Sequence, residues 1–285
     1  MAHCSVSVNS PLLFDAPMLE GLIAFAKLGQ PVLIAPFVMA GVSGPATMAG
    51  ALAQHNAEVL AGISLVQLVR AGTPVLYGSA TSNADLLSGA PAIGSPESAI
   101  STVVSAQLAR YYNVPSRGGG ALTDSPVPDS QSGYERMFTL LASVLSGTHY
   151  LMHGVGILES YLTMSYAQFA MDLDLLAMVR EFVRPFSITP ETLALDAIAE
   201  VGPGGMFLDV AHTLERFREV HFRPQIAIRQ PFEQWQAAGA IDATARARAH
   251  CRILLANYME PPMDSAAANR LENFVDARRR EILAG

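Results

Sequence analysis

A parallel α/β fold follows from three observations on this sequence. Short apolar runs recur, each ends in a Gly-rich or polar loop, and each loop leads into a helical pattern. Runs that are apolar throughout, rather than alternating, suit strands buried on both faces. Strands alternating with helices imply a parallel sheet with helical crossovers. The repeat is roughly 40 residues, the length of one strand–helix unit.

The units read in order. "PVLIAPF" at Pro31–Phe37 precedes a helix over Pro45–Arg70, with Pro45 suited to its first turn. "PVLYGSA" at Pro74–Ala80 precedes a helix over Pro96–Tyr111, which Ser95 can cap. "YNVPSRGGG" at Tyr112–Gly120 leads to Gln131–Leu145, and "HYLMHGVG" at His149–Gly156 leads to a helix near Ser165–Phe182. These units are fewer than a closed barrel requires. Beyond Pro190 the pattern is helical, over Glu191–Val201, Met206–Val220, Asp242–Tyr258 and Ser265–Leu283. The expected organisation is a βα portion over residues 1–190 and a helical region over 191–285 packed on it within one structural domain.

Composition narrows the function classes. The 285 residues are 51% hydrophobic and 15% charged, as in a well-cored globular protein. A net charge of -7 gives no reason to expect nucleic-acid or anionic-membrane binding. Cys4 and Cys251 are far apart and lack partners at metal spacing, so neither a disulfide framework nor bound zinc is expected, and a reducing cytoplasm fits. The opening residues lack a basic region followed by an apolar run, so no signal peptide is expected. "PVLIAPFVMAGVSG" is too short and too interrupted to span a membrane.

Gly and polar residues gather where the strands end, the face on which α/β folds keep their sites. "SRGGG" at Ser116–Gly120 includes Arg117, Gly118 and Gly119. It suits either close backbone approach to a ligand or a tight turn, and it matches no nucleotide-binding fingerprint. The following "TDSPVPDSQSGYE" supplies Thr123, Asp124, Asp129, Gln131, Tyr134 and Glu135. Gln131 and Glu135 share a helix face, and Asp129 or Ser130 can cap that helix. "MHGVG" puts His153 at a strand end, as a functional group or a satisfied core residue. "YGSATSNAD" adds Tyr77, Ser79, Ser82 and Asn83. His55 sits inside a helix, and His212, His221 and His250 lie in the helical tail; all four read as structural. No HExxH, GxSxG or His/Cys cluster is present.

Four runs together, "GPATMAGALAQHNAEVLAGISLVQLVRAGTPVLYGS", "SGAPAIGSPE", "SRGGGALTDSPVPDSQSGYE" and "HGVGILESYLTMSYAQFAMDLDL", resemble the trimethylamine methyltransferase family. The likeness runs from about Pro31 into the C-terminal helices and matches the later part of such enzymes. It implies a TIM barrel, here an incomplete barrel of about half. It also implies methyl transfer from a methylated amine to the cobalt of a corrinoid carried by a separate small protein. Founding members of the family carry pyrrolysine, which aligns within Thr123–Pro128. This chain has ordinary residues there and so resembles the branch that includes glycine betaine methyltransferases.

A quaternary ammonium suits that branch, because its amine leaves neutral and needs no acid. Recognising it calls for aromatic faces and a few carboxylates. Phe37, Tyr77, Tyr112 and Tyr134 are the candidate rings. Asp124, Asp129 and Glu135 are candidate anions, and Arg117 can pair with a betaine carboxylate. Asp124, Glu135 and His153 are the candidate catalytic groups; Ser79, Gly118, Gly119, Thr123 and Gln131 join the candidate substrate-binding set. Two rivals stand beside this reading. One is a truncated, inactive homologue that needs a second copy or another chain to complete its barrel. The other is a TIM-barrel lyase with His153 as base.

Overall fold

The computed structural model describes residues 2–284. In chain order its strands are β1 (Cys4–Val6), β2 (Val32–Ile34), β3 (Met39–Ala40), β4 (Val75–Gly78), β5 (Ser82–Ala84), β6 (Pro91–Ala92), β7 (Ser116–Gly119), β8 (Tyr150–Met152), β9 (Ile157–Leu158) and β10 (Thr163–Met164). The main sheet has five strands in the order β1-β2-β4-β7-β8, and every adjacent pair is parallel. Helices α1 (Ala16–Lys27), α2 (Met48–Val69), α3 (Pro96–Tyr111), α4 (Ser130–Leu145) and α5 (Tyr166–Phe182) follow these strands in turn. Strand order equals chain order, so the sheet is built of successive βα units and curls as an open half-barrel. The short strands β3, β5 and β6 form a small second sheet, and β9 and β10 a hairpin.

The sequence reading counted four units, and β1 with α1 adds a fifth. "CSVSV" alternates polar with apolar residues and is only a few residues long, so it lacks the continuous apolar signature of its neighbours. The other strands are shorter than read. Tyr112 ends α3 as its C-cap, so β7 begins only at Ser116. Pro45 lies ahead of α2, which is capped by the Thr47 side chain. Ser95 does cap α3, and Asp129 rather than Ser130 caps α4.

Alternation along the strands sorts the two faces. Val6, Val32, Ile34, Val75 and Tyr77 point outward and pack against Leu22 and Ala26 of α1, Val59 and Val66 of α2, and Ala109 of α3. A buried ion pair joins the last two units. Arg136 of α4 and Asp172 of α5 both have fully buried side chains, and Arg136 Nε donates to Asp172 Oδ1 at 2.7 Å. Gln168 Nε2 and the Gly156 N–H donate to the same carboxylate at 2.8 and 2.6 Å, and Arg136 also donates to the Ile157 carbonyl. The pair therefore holds the segment that leaves β8.

The C-terminal helices are α6 (Pro190–Leu193), α7 (Leu195–Val201), α8 (Ala211–Arg216), α9 (Phe232–Ala237), α10 (Ala243–Ala256) and α11 (Ser265–Ala284). The reading of one helix over Glu191–Val201 gives way to two, because Ala194 between them adopts a left-handed φ of 51°. α10 packs on α5 through Ala167, Ala170, Ala247 and Cys251, with Ile226 alongside. The Asp174 carboxylate of α5 accepts from the N–H groups of Gln225, Ile226 and Ala227 at 2.7, 2.7 and 2.8 Å. Asp174→Ala leaves those donors without their acceptor, an expected cost of about 1–3 kcal/mol. Hydrogen exchange should accelerate at amides 225–227; unchanged protection there would contradict this role. Among the described residues, no helix is long and apolar enough to cross a membrane.

Candidate active site

A cleft of about 380 Å³ opens at the C-terminal ends of the main strands. Its lining comes from every main strand or the residues just beyond it: Ser5 and Ser7, Ala35 and Phe37, Ala80, Arg117, Met152 and His153, with Tyr161 from the turn after β9. The polar-inward, apolar-outward alternation of β1 explains its first two members. Ser5 and Ser7 face the cleft while Val6 and Val8 join the helix-side core.

Arg117 is the charged group of this cleft. It is 4% exposed, and its Nη1 donates to the Ser79 carbonyl at 2.5 Å. Its Nη2 lies 3.4 Å from His153 Nδ1. Its Nε is buried without a hydrogen-bond partner among the described residues. Burial pulls the guanidinium below its ordinary pKa, while Tyr161 and Tyr150 oppose that shift. It remains a cation, as Arg does in proteins.

His153 has a left-handed φ of 57°, which turns its ring into the cleft just beyond β8. Burial, then the neighbouring Arg117 charge, lowers its pKa, so the ring is neutral at pH 7. The Tyr161 ring stands 4.9 Å from it, tilted by 60°. Burial pushes the Tyr161 phenol up to about 12; Arg117 opposes the shift and Asp124 adds to it.

The other sequence candidates, apart from Phe37, lie elsewhere. Phe37 lines the cleft. Tyr77 is fully buried on the helix side of the sheet, where its hydroxyl donates to Asn56 Oδ1 at 2.9 Å and its ring stacks on Tyr112 at 6.2 Å. Ser79 points at Ser101 of α3, and its carbonyl serves Arg117. Gly118 and Gly119 serve packing: a Cβ on Gly118 would meet Thr102 Cγ2 of α3 at 2.7 Å, and one on Gly119 would meet Leu122 Cδ1 at 2.6 Å.

The loop beyond β7 consumes its own polar groups. Asp124 accepts from the N–H groups of Ile93 and Gly94 and from Ser160 Oγ. Glu135 accepts from Thr123 Oγ1 at 2.6 Å, from the Asp124 N–H at 2.9 Å and from Gln131 Nε2 at 2.9 Å. Asp129 accepts from the Ser132 N–H and from Ser125 Oγ, and these bonds, the backbone one foremost, hold its carboxyl below the ordinary carboxylate range. Tyr134 is exposed and lines a separate apolar groove of about 620 Å³ between the start of α3 and α4.

Sequence reasoning missed Ser5, Ser7, Met152 and Tyr161. The C-S-V-S-V alternation of residues 4–8, with Ser5 and Ser7 between Cys4, Val6 and Val8, was a usable signal for the first two. "LESY" carries no glycine to announce the left-handed turn that delivers Tyr161. Among the described residues, no group of three or more His, Cys, Asp or Glu could hold a metal ion.

Comparison with known proteins decides the family. The family model described as trimethylamine methyltransferase (MTTB) matches residues 1–283. The chain belongs to the trimethylamine methyltransferase family. It is 43% identical over 277 residues to a glycine betaine methyltransferase of Desulfitobacterium hafniense (strain Y51), covering 96% of this chain and 58% of that protein. A trimethylamine methyltransferase MttB of Desulfitobacterium hafniense (strain DSM 10664 / DCB-2) is 37% identical, covering 98% of this chain and 56% of that one. The MttB2 protein of Methanosarcina mazei is 35% identical, covering 97% and 56%. This member of the trimethylamine methyltransferase family thus spans little more than half the length of the curated relatives it matches.

Proposed function

We propose that this protein takes part in methyl transfer from a quaternary methylated amine of the betaine type to a corrinoid protein. The observation that carries the reading is the Arg117 cation in the wall of a cleft that Phe37, Tyr161 and neutral His153 also line. A guanidinium in the wall of a small-ligand cleft is matched by a carboxylate. A betaine supplies both halves of the match. Its carboxylate can accept from Arg117, and its ammonium can face the Phe37 and Tyr161 rings. A neutral His153 adds no second positive charge against that ammonium.

When the methyl leaves a quaternary nitrogen for Co(I), the C–N electron pair stays on nitrogen, which departs uncharged. The chain then has to bind, orient and exclude water, without supplying an acid. The corrinoid would supply a Co(I) nucleophile from its own carrier protein. A cleft of about 380 Å³ is of small-ligand size, so a macrocycle fits over its mouth and not within it.

The test is methyl transfer to Co(I) corrinoid, free and on a carrier protein, with a panel of betaines and tertiary amines. Betaines should be favoured over trimethylamine, which offers Arg117 no carboxylate. Arg117→Met should lower betaine activity more than tenfold, about 1.4 kcal/mol or more, and Arg117→Lys should recover only part of it. Equal rates on trimethylamine and betaines would sink the substrate assignment.

A second reading rests on a different observation. β1 and β8 are the edges of the main sheet, each paired on one side only among the described residues. Open edges of a parallel sheet invite further strands. In that reading another chain, or a second copy, completes the barrel before the site works. Mass in solution, alone and with candidate carrier proteins, separates the two.

A further inference from the structure

One wall of the cleft stands on an unusual backbone. Glu159, Ser160 and Tyr161 have φ values of 48°, 49° and 78°, three consecutive non-glycine residues in a region that L-residues avoid. Such a turn persists only where surrounding contacts hold it, and strain of this kind concentrates at functional sites. The holding contacts can be named. The Glu159 N–H donates to the Ser125 carbonyl at 2.9 Å and the Ser160 N–H to the Thr123 carbonyl at 3.2 Å. Ser160 Oγ lies 2.6 Å from Asp124 Oδ1 and 3.0 Å from the Pro91 carbonyl. The remaining bonds of Asp124 come from the Ile93 and Gly94 N–H groups at 2.8 and 3.0 Å.

Asp124 therefore sits where three segments meet: the loop before α3, the loop after β7, and the left-handed turn. It does not line the cleft, but Tyr161, next in the chain to its partner Ser160, does. We propose that Asp124 is a positioning residue: by clamping the turn Glu159–Ser160–Tyr161 to the loop before α3, it sets the Tyr161 ring as the cleft wall beside His153 and Arg117. A carboxylate is required at this junction because all three of its neighbours donate. An amide in its place turns an N–H₂ toward at least one of those donors. The consequence for catalysis rests on the methylated-amine reading above, whereas the placement of Tyr161 does not.

The experiment uses the full chain with 3-fluorotyrosine in place of tyrosine. The Tyr161 fluorine resonance is assigned by its loss in Tyr161→Phe. In Asp124→Asn and in the milder Ser160→Ala, that resonance should shift or broaden while the others keep their positions. A Tyr161 resonance unchanged in a folded Ser160→Ala or Asp124→Asn protein overturns the proposal. Betaine activity supplies the second reading-out. Where the wild type is active, Asp124→Asn should raise KM several-fold, and adding it to Tyr161→Ala should cost no more than Tyr161→Ala alone. Full additivity of the two would show that Asp124 acts by another route and would also count against the proposal. If the resonance moves while the wild-type protein transfers no methyl group, the substrate assignment fails and the positioning role of Asp124 stands.

Discussion

Asp172→Ala is expected to destabilise the protein by roughly 3–5 kcal/mol, the usual cost of stripping one partner from a buried ion pair. Both side chains are fully buried, so the Arg136 cation left behind has neither water nor a counter-charge. The Gly156 N–H and Gln168 Nε2 lose their acceptor in the same step. An apolar pair of similar volume, Arg136→Met with Asp172→Leu, should cost much less, because it removes the charge and its desolvation together. Urea unfolding of the single and double variants makes the comparison. A double variant as unstable as the single one would mean that Asp172 matters for its backbone bonds and not for the charge pair. The effect should reach the cleft too. Gly156 and Ile157 lead directly into the turn that carries Tyr161, so loosening Asp172 should disorder that wall before the sheet itself melts.

Acid should destabilise this protein through His55. The ring is fully buried in α2, with Nδ1 at 2.8 Å from Thr81 Oγ1, Nε2 at 3.4 Å from Ser105 Oγ, and the Tyr77 ring 5.5 Å away. No carboxylate is among these contacts, and burial pushes the pKa down to about 3. The folded state therefore keeps His55 neutral, while the unfolded chain takes up a proton below about 6.5. Between those values the unfolded state binds more protons, so stability rises with pH and is lost as pH falls. Well below pH 6.5 the slope from this one residue should approach about 1.4 kcal/mol per pH unit. A folded His55→Gln variant removes the term, and its urea midpoint should fall less steeply than wild type from pH 6.5 to 4. Parallel curves would show that another group governs the acid limb.

The βα units at Pro31–Phe37, Pro74–Ala80, Tyr112–Gly120 and His149–Gly156 were legible because each short run ends in a Gly-rich or polar loop and leads into a helical pattern. A purely local signal then suffices, and the caps at Ser95 and Asp129 are local in the same way. β1 was not legible, because one of its faces looks into a polar cleft and its serines dilute the apolar run. The site divides along the same line. Sequence by itself determined that polar groups gather at the strand ends, and it singled out Arg117, His153 and the loop after β7. Only the tertiary structure decided which of them face the cleft. Arg117 turns inward because it occupies the inner register of β7, while Tyr77, on the outer register of β4, is sealed against α2. Asp124 and Glu135 read as free anions in sequence, yet each is occupied by N–H and hydroxyl donors, several from distant segments such as Ile93, Gly94 and Ser160. A residue type states what a side chain can donate or accept. Which partners reach it is set by long-range packing, and that information is absent from any local window of the chain.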